Sequence, residues 1–298
     1  MNPLQNRIRN RIKFRNVSVG LVMFSFVLAC IPPQAESELS NPSFSFSVMG
    51  DVPRGEAEIA ILDTQIAKFN QQSSSSIVFH LGDFKRGSEP CDEDVYRRVS
   101  TQLKKIDRPV FMLMGDNEWN DCSDPEMAWS HWFKYYTNFE NNWDHDLKVE
   151  HQPEQLDNFS FEYAGILFIG LNIVGSRIHD QSIWNEIESS DIDWMRYQFE
   201  NTSADAIIIV SQANPALNHP NLLMAFQRLA ETYENPILFL HGDGHHWTYD
   251  EAWEASNITK IQIDKGGIAD PLEITFHRNR GIPFTFDRHP FQSSKEKI

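Results

Sequence analysis

The chain has 298 residues and a formal charge of −16, with 26 basic against 42 acidic side chains. That balance excludes a basic nucleic-acid-binding surface and favours cations as partners. A content of 41% hydrophobic residues, with 8 Trp and 21 Phe, excludes a largely disordered chain and supplies apolar material for a sizeable core.

The first segment is unlike the rest. Arg7, Arg9, Arg11, Lys13 and Arg15 precede an uncharged apolar stretch from Val17 to Ala29, which reads as a signal peptide over residues 1–29 and is short for a membrane span. Val27-Leu28-Ala29-Cys30 resembles the lipobox of bacterial lipoproteins. On that reading Cys30 is lipidated, becomes the new N-terminus and tethers the protein to a membrane; ordinary cleavage after Pro33-Gln34-Ala35 is the alternative. Export to the periplasm, to a membrane-tethered state or to the outside follows in either case. Loss of residues 1–29 leaves 21 basic against 42 acidic residues, a charge of −21. Residues 30–42 read as a linker and 43–298 as one domain.

From residue 44 the pattern alternates strand and helix. Phe44, Phe46 and Val48 mark a strand; Ile59, Ile61, Leu62 and Ile66 mark a helix over 57–70. Ile77–Leu81 is a second strand, Asp92–Ile106 a second helix with Asp92 as its expected N-cap, and Val110–Met114 a third strand. This order implies parallel strands. Pro125–Phe139 reads as an aromatic-rich helix whose Trp129, Trp132, Phe133, Tyr135 and Tyr136 are spaced for core packing, with a cleft lining as the alternative. Residues 140–158 read as an acidic loop. Phe159–Tyr163 and Ile166–Ile173 are strands joined by Ala164-Gly165, a tight-hairpin signature. A helix over 180–200, a strand Ala206–Val210, a helix Asn221–Tyr233 and strands Ile237–Leu240, Ile258–Ile263 and Leu272–Phe276 complete the pattern.

Four of these apolar runs end in Gly-Asp, at Asp51, Asp83, Asp116 and Asp243, where composition alone predicts about one such pair. A carboxylate just past a buried strand lies at the edge where open α/β sheets hold ligands. Several carboxylates there repel one another unless a cation joins them. Two metal ions roughly 3.5–4 Å apart, sharing one carboxylate, can activate water for attack on a phosphoryl group. A single strand-end Asp more often only caps a turn; four of them, with His245 and His246 beside the last, point to a metal site. Cys91 and Cys122 follow Asp83 and Asp116. In an oxidising compartment the pair reads as a disulfide, with two buried thiols as the alternative.

The order Gly50-Asp51, Gly82-Asp83, Gly115-Asp116-Asn117-Glu118 and Gly242-Asp243-Gly244-His245 resembles the calcineurin-like metallophosphoesterase superfamily. The stretch from Gly115 to Cys122 is similar to a secreted bacterial subgroup of it. The resemblance covers residues 44 to about 276. It implies a metallo-dependent phosphatase-like α/β fold, a four-layer α/β/β/α sandwich of two mixed β-sheets flanked by helices. It also implies one or two divalent metals held by Asp51, Asp83, Asp116, Gln212, Asp243 and His245, with Asp83 bridging. Asn117, Glu118 and His245 take the catalytic positions, and a small phosphate ester is the implied substrate.

The chain departs from that pattern consistently. Pro53 stands where the first motif has His, Asp116 and Asn117 replace Asn and His, Gln212 replaces a lone His, and Asp243 replaces another. Asn cannot donate a proton at neutral pH. Oxygen in place of imidazole favours Mn, Mg or Ca over Zn, with iron left open. The more negative shell makes a catalytically impaired metal- or ligand-binding protein the alternative to a hydrolase, and a Ca²⁺-stabilised surface protein a third reading. Lys85 and Arg86 either restore phosphate attraction or are solvated loop charges. His246 and His241 either supply the missing acid or are turn and strand histidines, Glu118 either acts as an acid or orients the metal shell, and His80 reads as structural.

Overall fold

The computed structural model describes residues 43–292 apart from 154, 177, 251, 252, 254, 279 and 280. The expected signal peptide, Cys30 and the linker lie outside the described residues. In chain order the elements are β1 (Ser43–Met49), α1 (Ile59–Gln72), β2 (Val78–His80), α2 (Glu93–Leu103), β3 (Val110–Met112), α3 (Pro125–Tyr136), β4 (Glu150–Gln152), β5 (Gln155–Tyr163), β6 (Ile166–Gly170), α4 (Gln181–Asn201), β7 (Ala206–Ser211), α5 (Pro215–Asn218), α6 (Pro220–Glu231), β8 (Ile237–His241), β9 (Thr248–Asp250), β10 (Ile258–Gln262), β11 (Leu272–His277) and β12 (Phe284–Asp287). No helix among the described residues is long and apolar enough to cross a membrane.

The strands form two mixed sheets, one ordered β12-β11-β1-β2-β3 and the other β4-β5-β6-β7-β8-β10-β9. Successive side chains of a strand face opposite ways, so strands apolar at every position must be covered on both sides. Phe46, Phe79 and Phe111 of the first sheet meet Phe161, Phe168, Ile208 and Leu238 of the second in one apolar layer. Within it the ring centroids of Phe111 and Phe161 lie 4.6 Å apart and those of Phe46 and Phe168 5.3 Å. The intervening residues Val78, Val110 and Met112 pack outward on Leu62, Tyr96 and Trp132 of α1, α2 and α3. Ile207, Ile209 and Phe239 pack outward on Met195 and Phe226 of α4 and α6. The result is the expected α/β/β/α sandwich.

Two local expectations need correction. Residues 140–158 are not a continuous loop: they contain a 3₁₀ turn, Phe139–Asn142, then β4 and the start of β5. β4 is an edge strand reading Glu-His-Gln, with no apolar alternation to reveal it. The edge strands β9 and β12 and the single turn α5 span three or four residues each, too few to show a period. Asp92 does occupy the N-cap position of α2, but its side chain makes no capping bond. Asp124 and Asp180 cap α3 and α4 instead, accepting from the nitrogens of Met127 and of Ser182 and Ile183. The Ala164-Gly165 hairpin is as expected, with φ of +52° and +81° at its two central residues.

Cys91 and Cys122 are disulfide-bonded, with Cα atoms 5.9 Å apart. The bridge ties the loop after β2 to the loop after β3. With its ends 31 positions apart in the chain it stabilises the fold by about 3–4 kcal/mol through restriction of the unfolded chain.

Candidate metal centre

β1, β2 and β3 are adjacent and parallel, so the turns carrying Asp51, Asp83 and Asp116 leave one edge of the first sheet together. Asp243 does not share that sheet. It follows β8 of the second sheet, which brings its turn alongside from across the apolar layer. Asp51, Asp83 and Asp243 all have left-handed backbones, with φ of +55°, +59° and +65°, and His245 is at +63°. Asp and His enter this region at less cost than most side chains, and clustered strain of this kind accompanies functional turns.

Close backbone approach explains two of the glycines. A Cβ on Gly82, where φ is +76°, would lie 2.5 Å from the Gly115 nitrogen; one on Gly115 would lie 2.5 Å from the Asp83 nitrogen. The same two turns share an acceptor. Glu118 Oε1 receives the N–H of Asp83 at 2.9 Å and of Gly115 at 2.8 Å. Glu118 is fully buried, and its carboxyl is pushed up to about 8 by that burial, against the lowering effects of its backbone donors and Lys85.

The strand-end side chains form two clusters that share Asp83: Asp51, Asp83 and His245 in one, Asp83, Asp116 and Asp243 in the other. Within each, one ligand atom from each residue lies within 4.8 Å of the others. Oxygens on opposite sides of an ion at about 2.1–2.4 Å would be about 4.2–4.8 Å apart, so these separations fit divalent-cation binding. The carboxylates outnumber the cationic groups beside them. Asp83 is pushed well above the ordinary range by burial and then by Asp116, Glu118 and Asp51. Burial also raises Asp116, and burial with the charges of Asp116 and Asp51 raises Asp243 to about 6. Asp51 Oδ2 is buried without a hydrogen-bond partner.

Flanking groups orient the carboxylates. Asn117 Nδ2 donates to Asp83 Oδ2 at 2.6 Å. Gln212 Nε2 donates to Asp116 Oδ1 at 2.9 Å, while its oxygen accepts the Gly175 N–H at 2.7 Å. The backbone donor fixes the orientation of that amide. Gln212, expected to offer an oxygen to metal, thus turns its nitrogen to the cluster and positions Asp116. Glu118 sits behind the turns rather than facing outward. His245, whose side chain is 41% exposed, places Nε2 2.8 Å from Asp51 Oδ1.

The residues expected to attract substrate are less central. Lys85 is neither solvated nor facing the clusters: it is buried, and its Nζ donates to the carbonyls of Asn117 at 2.6 Å and Arg86 at 2.9 Å. Arg86 is exposed and donates from Nε to the Arg54 carbonyl at 3.0 Å. His246 is exposed with Nδ1 2.6 Å from the Gly244 carbonyl. His241 and His80 are buried and held neutral, each pushed down to about 4 by desolvation. Of the aromatic group on α3, Trp132 and Tyr136 are core, whereas Trp129 lines an open groove with Trp119, His179 and Ile183.

One contributor escaped the sequence reading. Arg54 Nη1 lies 3.4 Å from Asp51 Oδ1 and 3.7 Å from Asp83 Oδ2, and contacts His245 Nε2. Its position three residues after Asp51 was the available signal, but spacing within a turn does not tell where a long side chain points.

These shifts set a pH dependence. Glu118 has an ordinary value of 4.5 and a folded value of about 8, so between those limits the folded state holds a proton that the unfolded state has lost. Stability contributed this way falls as pH rises. His80 and His241 act oppositely, but only below their ordinary value of 6.5. Metal-free protein is therefore expected to lose about 1 kcal/mol per pH unit between roughly 6.5 and 8. Urea melts with a chelator present check this; a flat or rising profile over that window would refute it.

No family model matches the chain, and no curated protein matches it. Solved structures share its fold, two of them as follows. One is GAP50, the anchor in the inner membrane complex of Plasmodium: 12% identity, 82% of this chain and 83% of that one, TM-score 0.53. The other is a 5′-nucleotidase from Candida albicans SC5314: 12% identity, 82% of this chain but 50% of that one, TM-score 0.51. At such identity the likeness concerns the fold, a sandwich of two mixed sheets flanked by helices of the metallo-dependent phosphatase type.

Proposed function

We propose that this protein is an exported, metal-dependent phosphoric ester hydrolase of the calcineurin-like superfamily, acting on small phosphate esters. The observation that carries the proposal is the pair of donor clusters joined through Asp83. The shared fold with a nucleotidase supports it. The disulfide and the basic-then-apolar N-terminal segment support export.

Asp83, Asp116 and Asp243 would hold the metal, with Asp51 and His245 completing the centre. A divalent ion there supplies Lewis-acid polarisation of a phosphoryl oxygen and activation of water. Asn117 and Gln212 hold Asp83 and Asp116 in orientation, and Glu118 fixes the two turns. Asn117 has no proton to give, so the exposed imidazole of His245 is the nearby group able to hold or move one.

The test is a metal-reconstitution assay. Purified protein, stripped and reloaded with Mn²⁺, Mg²⁺, Ca²⁺ or Zn²⁺, is assayed on mono- and bis-nitrophenyl phosphate, with metal content measured and the intact mass recording the processed N-terminus. Hydrolysis that requires metal, and prefers Mn²⁺ or Mg²⁺ to Zn²⁺, is expected. Retained metal without hydrolysis would leave the binding-protein reading, which the site of Arg54 and the fold shared with an anchor protein favour. Absence of retained metal would sink both.

A further inference from the structure

Building on the metal-hydrolase reading, we infer that this centre takes one divalent ion, at Asp83, Asp116 and Asp243, because the guanidinium of Arg54 occupies the other position as a built-in cation. The three donors of the first cluster lie within 4.8 Å of one another. Arg54 Nη1 is 3.4 Å from Asp51 Oδ1, 3.7 Å from Asp83 Oδ2 and in contact with His245 Nε2. An atom that close to all three fills the space between them that a bound ion would need.

The arginine is held there rather than draped over the site. Its N–H donates to Glu58 Oε2 at 2.8 Å, its carbonyl accepts from Arg86 Nε at 3.0 Å, and its side chain is only 17% exposed. A guanidinium stays charged at every pH at which the protein folds, so it cannot yield the position by losing a proton. A dication beside it would meet like-charge repulsion in a partly buried setting. Nor does the loop offer a further donor, since the residue before Arg54 is Pro53. The second cluster differs: among the described residues no salt bridge reaches Asp116 or Asp243, and of its three carboxylates only Asp83 faces a cation, Arg54 at 3.7 Å. One arginine and one divalent ion would together offset three of the four carboxylate charges.

Mn²⁺ binding to the whole protein tests this. Equilibrium dialysis counts ions, and electron paramagnetic resonance separates an isolated ion from a coupled pair bridged by Asp83. Wild-type protein is expected to bind one Mn²⁺ per chain with an isolated-ion spectrum. Arg54→Met, which keeps the apolar stem and removes the charge, is expected to bind two and to show the coupled signal; Arg54→Lys, which keeps a cation, should remain at one. Circular dichroism melts establish that each variant folds. Two ions in wild-type protein, or one in folded Arg54→Met, would overturn the inference and leave the hydrolase reading standing. No ion in any variant would remove that reading, and this inference with it.

Discussion

Asp83→Asn is expected to make the metal-free protein more stable while abolishing its response to metal. The reason is that Asp83 is buried and crowded by Asp116, Glu118 and Asp51, and its carboxyl is pushed well above the usual range. Asn is nearly isosteric, removes the charge, and retains an oxygen to accept the 2.6 Å bond from Asn117 Nδ2. Relief of desolvation and repulsion should raise the melting temperature of the metal-free protein at pH 8. Wild-type protein with metal at 100 times its dissociation constant gains about 2.7 kcal/mol; the variant should gain nothing, because Asp83 belongs to both clusters. Hydrolysis should fall on the order of 10³-fold, the equivalent of several kcal/mol of lost transition-state stabilisation. Melts with and without Mn²⁺ decide the matter, and an undiminished metal shift in Asp83→Asn would show that the ion binds elsewhere.

Glu118 gives the second large effect, and here two substitutions must differ. The Glu118 carboxyl, raised to about 8 by burial, is mostly protonated at neutral pH, so Gln copies its shape and charge and keeps the oxygen that accepts from Asp83 and Gly115. Glu118→Gln is expected to cost under about 1 kcal/mol and to flatten the pH profile above 6.5. Glu118→Ala instead strands two buried N–H groups, at about 1–3 kcal/mol each, and opens a cavity, for a total of about 3–5 kcal/mol. It also frees the turns that carry Asp83 and Asp116, so Mn²⁺ affinity should drop about 10–100-fold. Equal losses from Gln and Ala in chemical denaturation would mean that the charge, not the shared acceptor, matters.

The lower reach of Gln212 and Lys85 shows where reading residues in order stops. Gln212 bonds Asp116, and Lys85 lies on the turn after Asp83. Yet Gln212 is turned by a bond from Gly175, 37 positions away in the chain, and Lys85 is drawn to the Asn117 carbonyl, 32 positions away. The direction of a long polar side chain is set by partners that only folding supplies. Short polar edge strands such as β4 and β9 were missed because pairing, not pattern, makes them strands.

The sequence by itself determined the alternating strands and helices, the hairpin at Ala164-Gly165, the parallel order of β1, β2 and β3 and the set of strand-end aspartates. Those follow from local periodicity, turn chemistry and the reach of neighbouring elements. Only the tertiary structure decided that Asp243 arrives from the second sheet, that Glu118 serves as the common anchor of two turns, and that Arg54 stands among Asp51, Asp83 and His245. Packing one sheet on the other brings together residues that are remote in the chain, and distance in space, not in sequence, governs Coulomb and hydrogen-bond energies.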